Sequence, residues 1–478
     1  MINLFALVLT GIAISTAAFV VIWILLEKRQ PTSSLAWIGV IIALPYLGIA
    51  LYFVFGRRRM RRRALKKEKL RKQCLAHFRS YAAQSAEREV QLHQAFKDAE
   101  AMLSLAINEA ELPLTVGNRV TLLKDHDESY PAIFNAIAKA KHSVNVLFYI
   151  IKQDSTGEHL GELLMERARA GVKVRLIFDD FGSIGLTRRW KRQLREAGVE
   201  IAVFLPLLVP FAWARMRWSF RNHRKIVIVD DAIGFTGGLN IGEEYEGKNP
   251  KIGRWRDCFI KIEGPAAATL NYVFWEDWHY LTNELLEPTD VVQGAGDMLV
   301  HILPSGPDRE RENMLIAFFV AISSAKRYCY ITTPYFIPHI SIKMAMMSAA
   351  MRGVDICLLL PGRSDHKIMS YASRSYYEEL LDAGVRIFEY GDGFLHSKTI
   401  CVDDSFATVG SANMDPRSLS TNFEVNAFVY DKVFAEEVKA MFYEDLLQSR
   451  EITAVDELRQ SMGKRLLVAF ARLFSPIL

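Results

Sequence analysis

Two histidine–lysine pairs are the groups in this chain best suited to chemistry. His223-Arg-Lys225-Ile-Val-Ile-Val-Asp230 and His396-Ser-Lys398-Thr-Ile-Cys-Val-Asp403 share the spacing H-x-K-x4-D, with their histidines 173 residues apart. After six intervening residues each Asp is followed by a small-residue turn ending in asparagine, Gly237-Gly-Leu-Asn240 and Gly410-Ser-Ala-Asn413. On an extended strand, residues i and i+2 share a face. Each motif histidine therefore projects beside its lysine. Two imidazoles and two ammonium groups meeting at one centre suit a phosphodiester. The lysines neutralise the non-bridging oxygens, one imidazole attacks phosphorus, and the other protonates the leaving alkoxide. Asn240 and Asn413 are the expected extra donors to phosphate. A single histidine on an apolar strand is ordinarily a core residue, but matched lysines and asparagines in two copies argue against that reading. Lysine is a poor metal ligand, and no acidic cluster or H-x-x-x-H accompanies the motifs. No metal and no cofactor are expected.

His223, Lys225, Asp230, His396, Lys398 and Asp403 make up the catalytic signature, yet strand parity separates its members. Each aspartate lies five residues beyond its lysine, on the opposite face of a straight strand. Asp230 and Asp403 thus read as turn or structural acids at the strand's end. A reacting imidazole needs an acceptor on its other nitrogen. The candidates are Asp257 in Trp255-Arg-Asp257 and Glu424 in Asn422-Phe-Glu424, which lie 34 and 28 residues beyond the histidines of their own halves.

The elements that must position these groups repeat. Ala136-Ile-Ala-Lys-Ala-Lys141 matches Ala321-Ile-Ser-Ser-Ala-Lys326, Arg169-Ala-Gly171 matches Met351-Arg-Gly353, and Ala197-Gly198-Val matches Ala383-Gly384-Val. The offsets run from 182 to 186 residues. Each half carries helix–strand–helix–strand–helix–strand before its motif, an α/β order suited to a sheet with helices on its faces. Two such α-β-α halves predict an internal pseudo-dimer whose motifs converge at the interface. The shorter offset at the motifs implies an insertion in the first half. Val203–Trp218, apolar and broken by prolines, reads either as a buried crossover or as a lipid-facing lip beside the site.

At 478 residues the chain exceeds one ordinary core. Half of it is hydrophobic, and the longest unbroken apolar runs lie at the N-terminus. Ile2–Leu26 is almost uninterrupted and Leu35–Phe55 holds no charge, so both are long enough to span a bilayer. A cleaved signal peptide would need a basic start and a small-residue cleavage site, and neither is present. Arg57, Arg58, Arg59, Arg61, Arg62, Arg63, Lys66 and Lys67 then predict a cytoplasmic catalytic mass by the positive-inside rule. The formal charge of +5 is largely this cluster and says little about nucleic acid. Five scattered cysteines form no C-x-x-C pair and read as reduced cytosolic residues.

The doubled motif, the strings Asn222–Asp230, Thr236–Gly242, Trp255–Asp257, Phe394–Lys398 and Gly410–Ser418, and the N-terminal hairpin ending Leu51-Tyr-Phe-Val-Phe-Gly56-Arg together resemble the phospholipase D superfamily, and within it the bacterial cardiolipin synthases. The resemblance covers essentially the whole chain, with Gly237-Gly standing where the second half has Gly-Ser. It implies an α/β protein of two phospholipase D-like halves behind a transmembrane hairpin. The partition is 1–56 hairpin, 57–112 basic juxtamembrane helix, 113–290 and 291–455 the halves, and 456–478 a C-terminal amphipathic helix. The activity implied is phosphatidyl transfer between two phosphatidylglycerols, giving cardiolipin and glycerol through a phosphatidyl-histidine, with His223 as nucleophile and His396 as acid/base. The implied partners are phosphatidylglycerol and other anionic lipids, not nucleic acid, at the bacterial inner membrane in a multi-pass topology. Alternatives are a phospholipase D-type hydrolase, a nuclease of the superfamily, a transferase using another lipid such as phosphatidylethanolamine, and a non-enzymatic membrane scaffold.

Overall fold

A computed structural model describes residues 2–26, 31–52, 97–108, 112–205, 220–250, 253–285, 293–309, 311–454, 461–473 and 475. The basic cluster after Gly56, Cys74, most of the 57–112 segment and nearly all of the Val203–Trp218 insertion lie outside the described residues.

The chain divides into two compact units, one holding residues 1–59 and 207–220, the other the remainder. In the first, α1 (Ile2–Leu26) is followed by α2 (Pro31–Ala43) and α3 (Pro45–Leu51). The second apolar run is therefore not one helix. It breaks at Pro45, which has no N–H to donate and disfavours helical geometry in the residue before it. Val20, Ile24, Ile41 and Tyr52 form a small buried cluster. Among the described residues no helix is long and apolar enough to cross a membrane. The backbone of α1 runs 25 residues, but its side chains are described only from Gly11 onward.

The first α-helix described in the second unit is α4 (Glu100–Asn108). Its first half then runs β1 (Thr115–Lys124), α5 (His126–Ala138), β2 (Ser143–Phe148), α6 (Ser155–Arg169), β3 (Lys173–Asp179), α7 (Arg188–Glu196), β4 (Glu200–Phe204), β5 (Ile226–Val229), β6 (Ile233–Gly237), β7 (Trp255–Arg256), β8 (Cys258–Glu263) and α8 (Pro265–Thr282). The second half repeats the order with β9 (Met298–Ser305), α9 (Asn313–Ser324), β10 (Tyr328–Thr332), α10 (Ile340–Met351), β11 (Asp355–Pro361), α11 (Lys367–Arg374), α12 (Tyr377–Asp382), β12 (Arg386–Tyr390), β13 (Phe394–Leu395), β14 (Thr399–Val402), β15 (Phe406–Gly410), α13 (Pro416–Ser420), β16 (Glu424–Tyr430) and α14 (Lys432–Leu446). β17 (Ser449–Ile452) and α15 (Met462–Leu473) follow.

One sheet runs through both halves in the order β17-β12-β11-β10-β14-β15-β16-β9-β1-β8-β6-β5-β2-β3-β4. Apart from the added β17, the order is palindromic about the β9–β1 seam, so the halves are related by a pseudo-twofold. Within the first half, β2, β3 and β4 are parallel and β5 is antiparallel to β2; β10, β11, β12 and β14 repeat this. The strands β5 (Ile-Val-Ile-Val) and β14 (Thr-Ile-Cys-Val) are buried at every position, as strands covered by helices on both faces must be. Each half has its own core. The core of the first half includes Phe394 from the second, so the halves do not form separate domains.

Candidate active site

Both motif histidines sit on short extended segments just before β5 and β14, and each segment pairs with the other half. β13 lies parallel to β7, placing Phe394 opposite Trp255 and Leu395 opposite Arg256, and the His396 N–H donates to the Arg256 carbonyl at 2.7 Å. The same construction recurs across the pseudo-twofold. Asn222 bridges Phe423, and the His223 N–H donates to the Phe423 carbonyl at 2.9 Å. In each case the residue after that carbonyl is an acid.

His396 Nδ1 lies 2.6 Å from Asp257 Oδ2, and His223 Nδ1 lies 3.5 Å from Glu424 Oε1. The acids that sequence spacing associates with their own histidines therefore serve the opposite ones. The reason is topological: chain pairing at the seam runs between halves, and no sequence distance encodes that. A carboxylate only accepts, so the proton on His396 lies on Nδ1, and Nε2 keeps its lone pair for the cleft.

The charges act on one another. Burial, with Lys225, Arg417, Lys398 and His396 adding to it, holds the His223 imidazolium well below its ordinary pKa. His396 is held down to about 4 by burial and Lys398, against the pull of Asp257. Lys225 and Lys398 are pushed down to about 8, in both cases chiefly by burial. Burial lifts Glu424 to about 7 against the opposing charge of Lys225. For Asp257, burial is outweighed by Lys398, His396 and its hydrogen bonds, which leave it below the usual carboxylate value. The two sides are thus unequal: an ionised Asp257 clasps His396 closely, whereas Glu424 stands farther from His223. The His223 and His396 side chains keep 22% and 12% exposure, so neither imidazole is sealed from solvent.

The lysine ammonium groups reach back to their own motif carbonyls. Lys225 Nζ is 2.7 Å from His223 O, and Lys398 Nζ contacts both His396 O and, at 2.8 Å, His396 Nδ1. Asp230 and Asp403, counted in the catalytic signature, do not join this cluster. The Asp230 carboxylate accepts the N–H groups of Lys141, His142 and Ser143, and Asp403 accepts those of Lys326, Arg327 and Tyr328. Both residues have positive φ, 50° and 54°. Each ties the far end of its motif strand to the start of the neighbouring antiparallel strand. The contacts of Asn240 and Asn413 are likewise internal. Asn240 Oδ1 accepts from the Ile150 N–H at 3.1 Å, and Asn413 bonds the Asp415 carboxylate while its buried Oδ1 has no partner. Neither asparagine has a described contact to the histidine–lysine cluster.

Two kinds of neighbour escape the motif reading. Tyr149 packs on His223 with ring centroids 4.2 Å apart, and Tyr335 stands edge-on to His396 at 6.5 Å. These tyrosines are 186 residues apart, within the repeat offset, so an aromatic at repeat spacing was the available signal. Arg224, the variable residue of the first motif, is fully buried. It binds Asp277 at 2.9 Å and donates to the carbonyls of Glu424 and Ser305 in the other half. Arg256 similarly binds Asp445 of α14 at 2.6 Å. Nothing in the local sequence distinguishes these two arginines.

The Gly-Gly of the first turn also acquires a reason. A Cβ on Gly238 would lie 2.1 Å from Asp257 Oδ1. At the matching position, Ser411 donates to Glu424 Oε2 at 2.6 Å. Gly238→Ala should therefore push Asp257 off His396 and lower kcat by on the order of 10²-fold, the scale of a 1 Å misplacement. Comparing kcat of the purified variant with wild type checks this, and an unchanged kcat would refute the packing argument.

Two histidine–lysine pairs, one imidazole hydrogen-bonded to an acid of the opposite half and the other facing one at 3.5 Å, form the constellation expected of a phospholipase D-type site. A family model described as "Cardiolipin synthase, PLD-like domain" matches residues 133–278 and 318–446, and one described as "Phospholipase_D-nuclease N-terminal" matches 14–57. A cardiolipin synthase of Geobacillus thermodenitrificans is 39% identical over 472 residues, covering 97% of this chain and 92% of its own. A cardiolipin synthase 2 of Bacillus cereus is 37% identical over 461 residues, covering 95% and 88%. The chain belongs to the bacterial cardiolipin synthase family of the phospholipase D superfamily. Its fold is similar to that of a phosphatidylserine synthase from Haemophilus influenzae, with a TM-score of 0.58 at 17% identity, covering 80% of this chain and 100% of that one.

Proposed function

We propose that this protein is a cardiolipin synthase that transfers a phosphatidyl group from one phosphatidylglycerol to the headgroup hydroxyl of a second. The observation that carries the chemistry is the cross-half pairing of His396 with an ionised Asp257 opposite His223, whose imidazole is held neutral. Binding of the phosphodiester anion beside His396 favours its imidazolium, which takes a second proton on Nε2. His223 attacks phosphorus, the bond from phosphorus to the glycerol oxygen breaks, and that Nε2 proton passes to the departing oxygen. Free glycerol leaves a phosphatidyl–His223 intermediate. The now neutral His396 then takes the proton of the incoming hydroxyl, whose oxygen displaces His223 from phosphorus. One phosphodiester replaces another, so no high-energy donor is required.

Asp257 favours the acid/base role for His396, because a nearby carboxylate stabilises the imidazolium that this role requires. Lys225 and Lys398 supply the positive charge for the non-bridging oxygens. Asp230 and Asp403 act by holding the motif strands, and Asn240 and Asn413 by bracing the turns beside them. Residues 1–56 serve as a membrane hairpin whose second arm is broken at Pro45, and the basic stretch after Gly56 as its cytoplasmic flank, setting a multi-pass protein in the bacterial cytoplasmic membrane with its catalytic halves facing the cytoplasm. Purified protein given labelled phosphatidylglycerol should yield cardiolipin and glycerol in equal amounts. Phosphatidic acid without cardiolipin would replace this reading with a hydrolase.

The two lysines also set a pH dependence. Their ammonium groups are pushed down to about 8, so charge is present below that pH and lost as pH rises through it. The kcat/KM for phosphatidylglycerol, which reports the free enzyme, should fall above pH about 8, with both lysines contributing to the slope. An alkaline limb that begins only near the ordinary lysine value of about 10.4 would contradict this.

A further inference from the structure

We infer that α15 is an interfacial helix that docks the mouth of the active site onto the surface of an anionic phospholipid bilayer. The helix turns the wrong face toward the protein for a core element. Ala471 is its buried residue, set against Ile337 and Ala372. Arg472 binds Glu379 at 2.9 Å and lies over the Tyr376 ring at 5.1 Å. At about 100° per residue, Met462, Leu466, Phe470 and Leu473 fall within one narrow arc on the far side. They are 69%, 64%, 57% and 74% exposed. Arg465 lies beside one edge of this stripe, and Lys464 falls near Ala471 on the other side of the helix.

An apolar stripe with Arg465 and Arg472 along one edge matches the boundary between acyl chains and anionic headgroups. A second copy of the chain fits less well, since a symmetric pairing would set the same stripe and the same cations against each other. The stripe is also connected to the site. Lys343 of α10 binds the carboxylate that Arg472 holds, and α10 exposes Ile340, Met344 and Met351 on one side. α10 begins five residues after Tyr335, the ring facing His396. α11, on which α15 packs, begins just after Asp365, which accepts from the Tyr335 hydroxyl. The elements that rim His396 therefore also carry the exposed apolar side chains. A substrate lipid could rise from the bilayer into the site with only its headgroup leaving the interface.

The inference rests on the reading that the substrate is a bilayer lipid, and the test separates the two. Full-length protein carrying Leu466→Glu and Phe470→Glu is assayed on phosphatidylglycerol in bilayer nanodiscs and on short-chain phosphatidylglycerol below its micelle concentration. Cardiolipin formation should fall at least about tenfold in nanodiscs and stay within about twofold on the monomeric lipid. Equal losses in both formats, or no loss in either, would overturn the proposal. Absence of product from wild type in both formats would instead refute the functional reading. Docking is then read independently from a fluorophore on Phe470→Cys, in a Cys74→Ser background because Cys258, Cys329, Cys357 and Cys401 are buried. Brominated phosphatidylglycerol in the nanodisc should quench it. An unquenched label, including one that is buried because the protein dimerises, would refute docking.

Discussion

Alanine in place of either histidine should lower cardiolipin formation by at least about 10⁴-fold, the scale seen when a member of a catalytic unit is removed. The two variants should nonetheless fail at different steps. A phosphatidyl ester of p-nitrophenol has a leaving group that needs no proton, so general acid catalysis becomes dispensable for its first step. His396→Ala should still release a burst of nitrophenol and accumulate a phosphatidyl-enzyme labelled on His223. His223→Ala should show no burst. A burst in His223→Ala with label on His396 would reverse the assignment, and full activity of either variant on phosphatidylglycerol would refute a shared site. Asp257→Asn should resemble His396→Ala in this assay, because Asp257 lies 2.6 Å from His396. Assigned from its own half's motif, Asp257 would instead be expected to affect His223.

Arg224→Met should destabilise the catalytic unit by about 3–5 kcal/mol, the usual result of stranding one partner of a buried ion pair. Asp277 would lose its guanidinium partner in a site where both side chains are fully buried. The carbonyls of Glu424 and Ser305 would also lose their donor. Thermal unfolding in detergent measures the loss. Adding Asp277→Leu should recover part of it, because an apolar pair of similar volume removes the stranded charge. A single Arg224→Met variant as stable as wild type would show that the clamp between the halves contributes little. Because Glu424 is also the acid facing His223, the surviving folded enzyme should be slower as well as less stable.

Much of this protein can be read from one chain. The H-x-K-x4-D spacing, with its strand period of two, was enough to group His223 with Lys225 and His396 with Lys398 and to set Asp230 and Asp403 apart. The repeat offsets predicted two α/β halves, because an internal duplication preserves element order whatever the fold does later. Local grammar also located α1, though it did not anticipate that Pro45 divides the second apolar run.

The remainder depends on contacts between residues far apart in sequence. Backbone pairing between the halves, through β13–β7 and the Asn222–Phe423 bridge, gives Asp257 to His396 and Glu424 to His223, and no periodicity within either half carries that exchange. Burial turns the variable residue Arg224 into a clamp, because a guanidinium enclosed by the second half must find acceptors there. Depression of the imidazole and ammonium pKa values likewise comes from desolvation and from charges brought together by folding, neither of which exists in the extended chain. Residue types and spacing therefore determined which groups could react with a phosphodiester. Long-range packing set their partners, their protonation and the inequality between the two histidines.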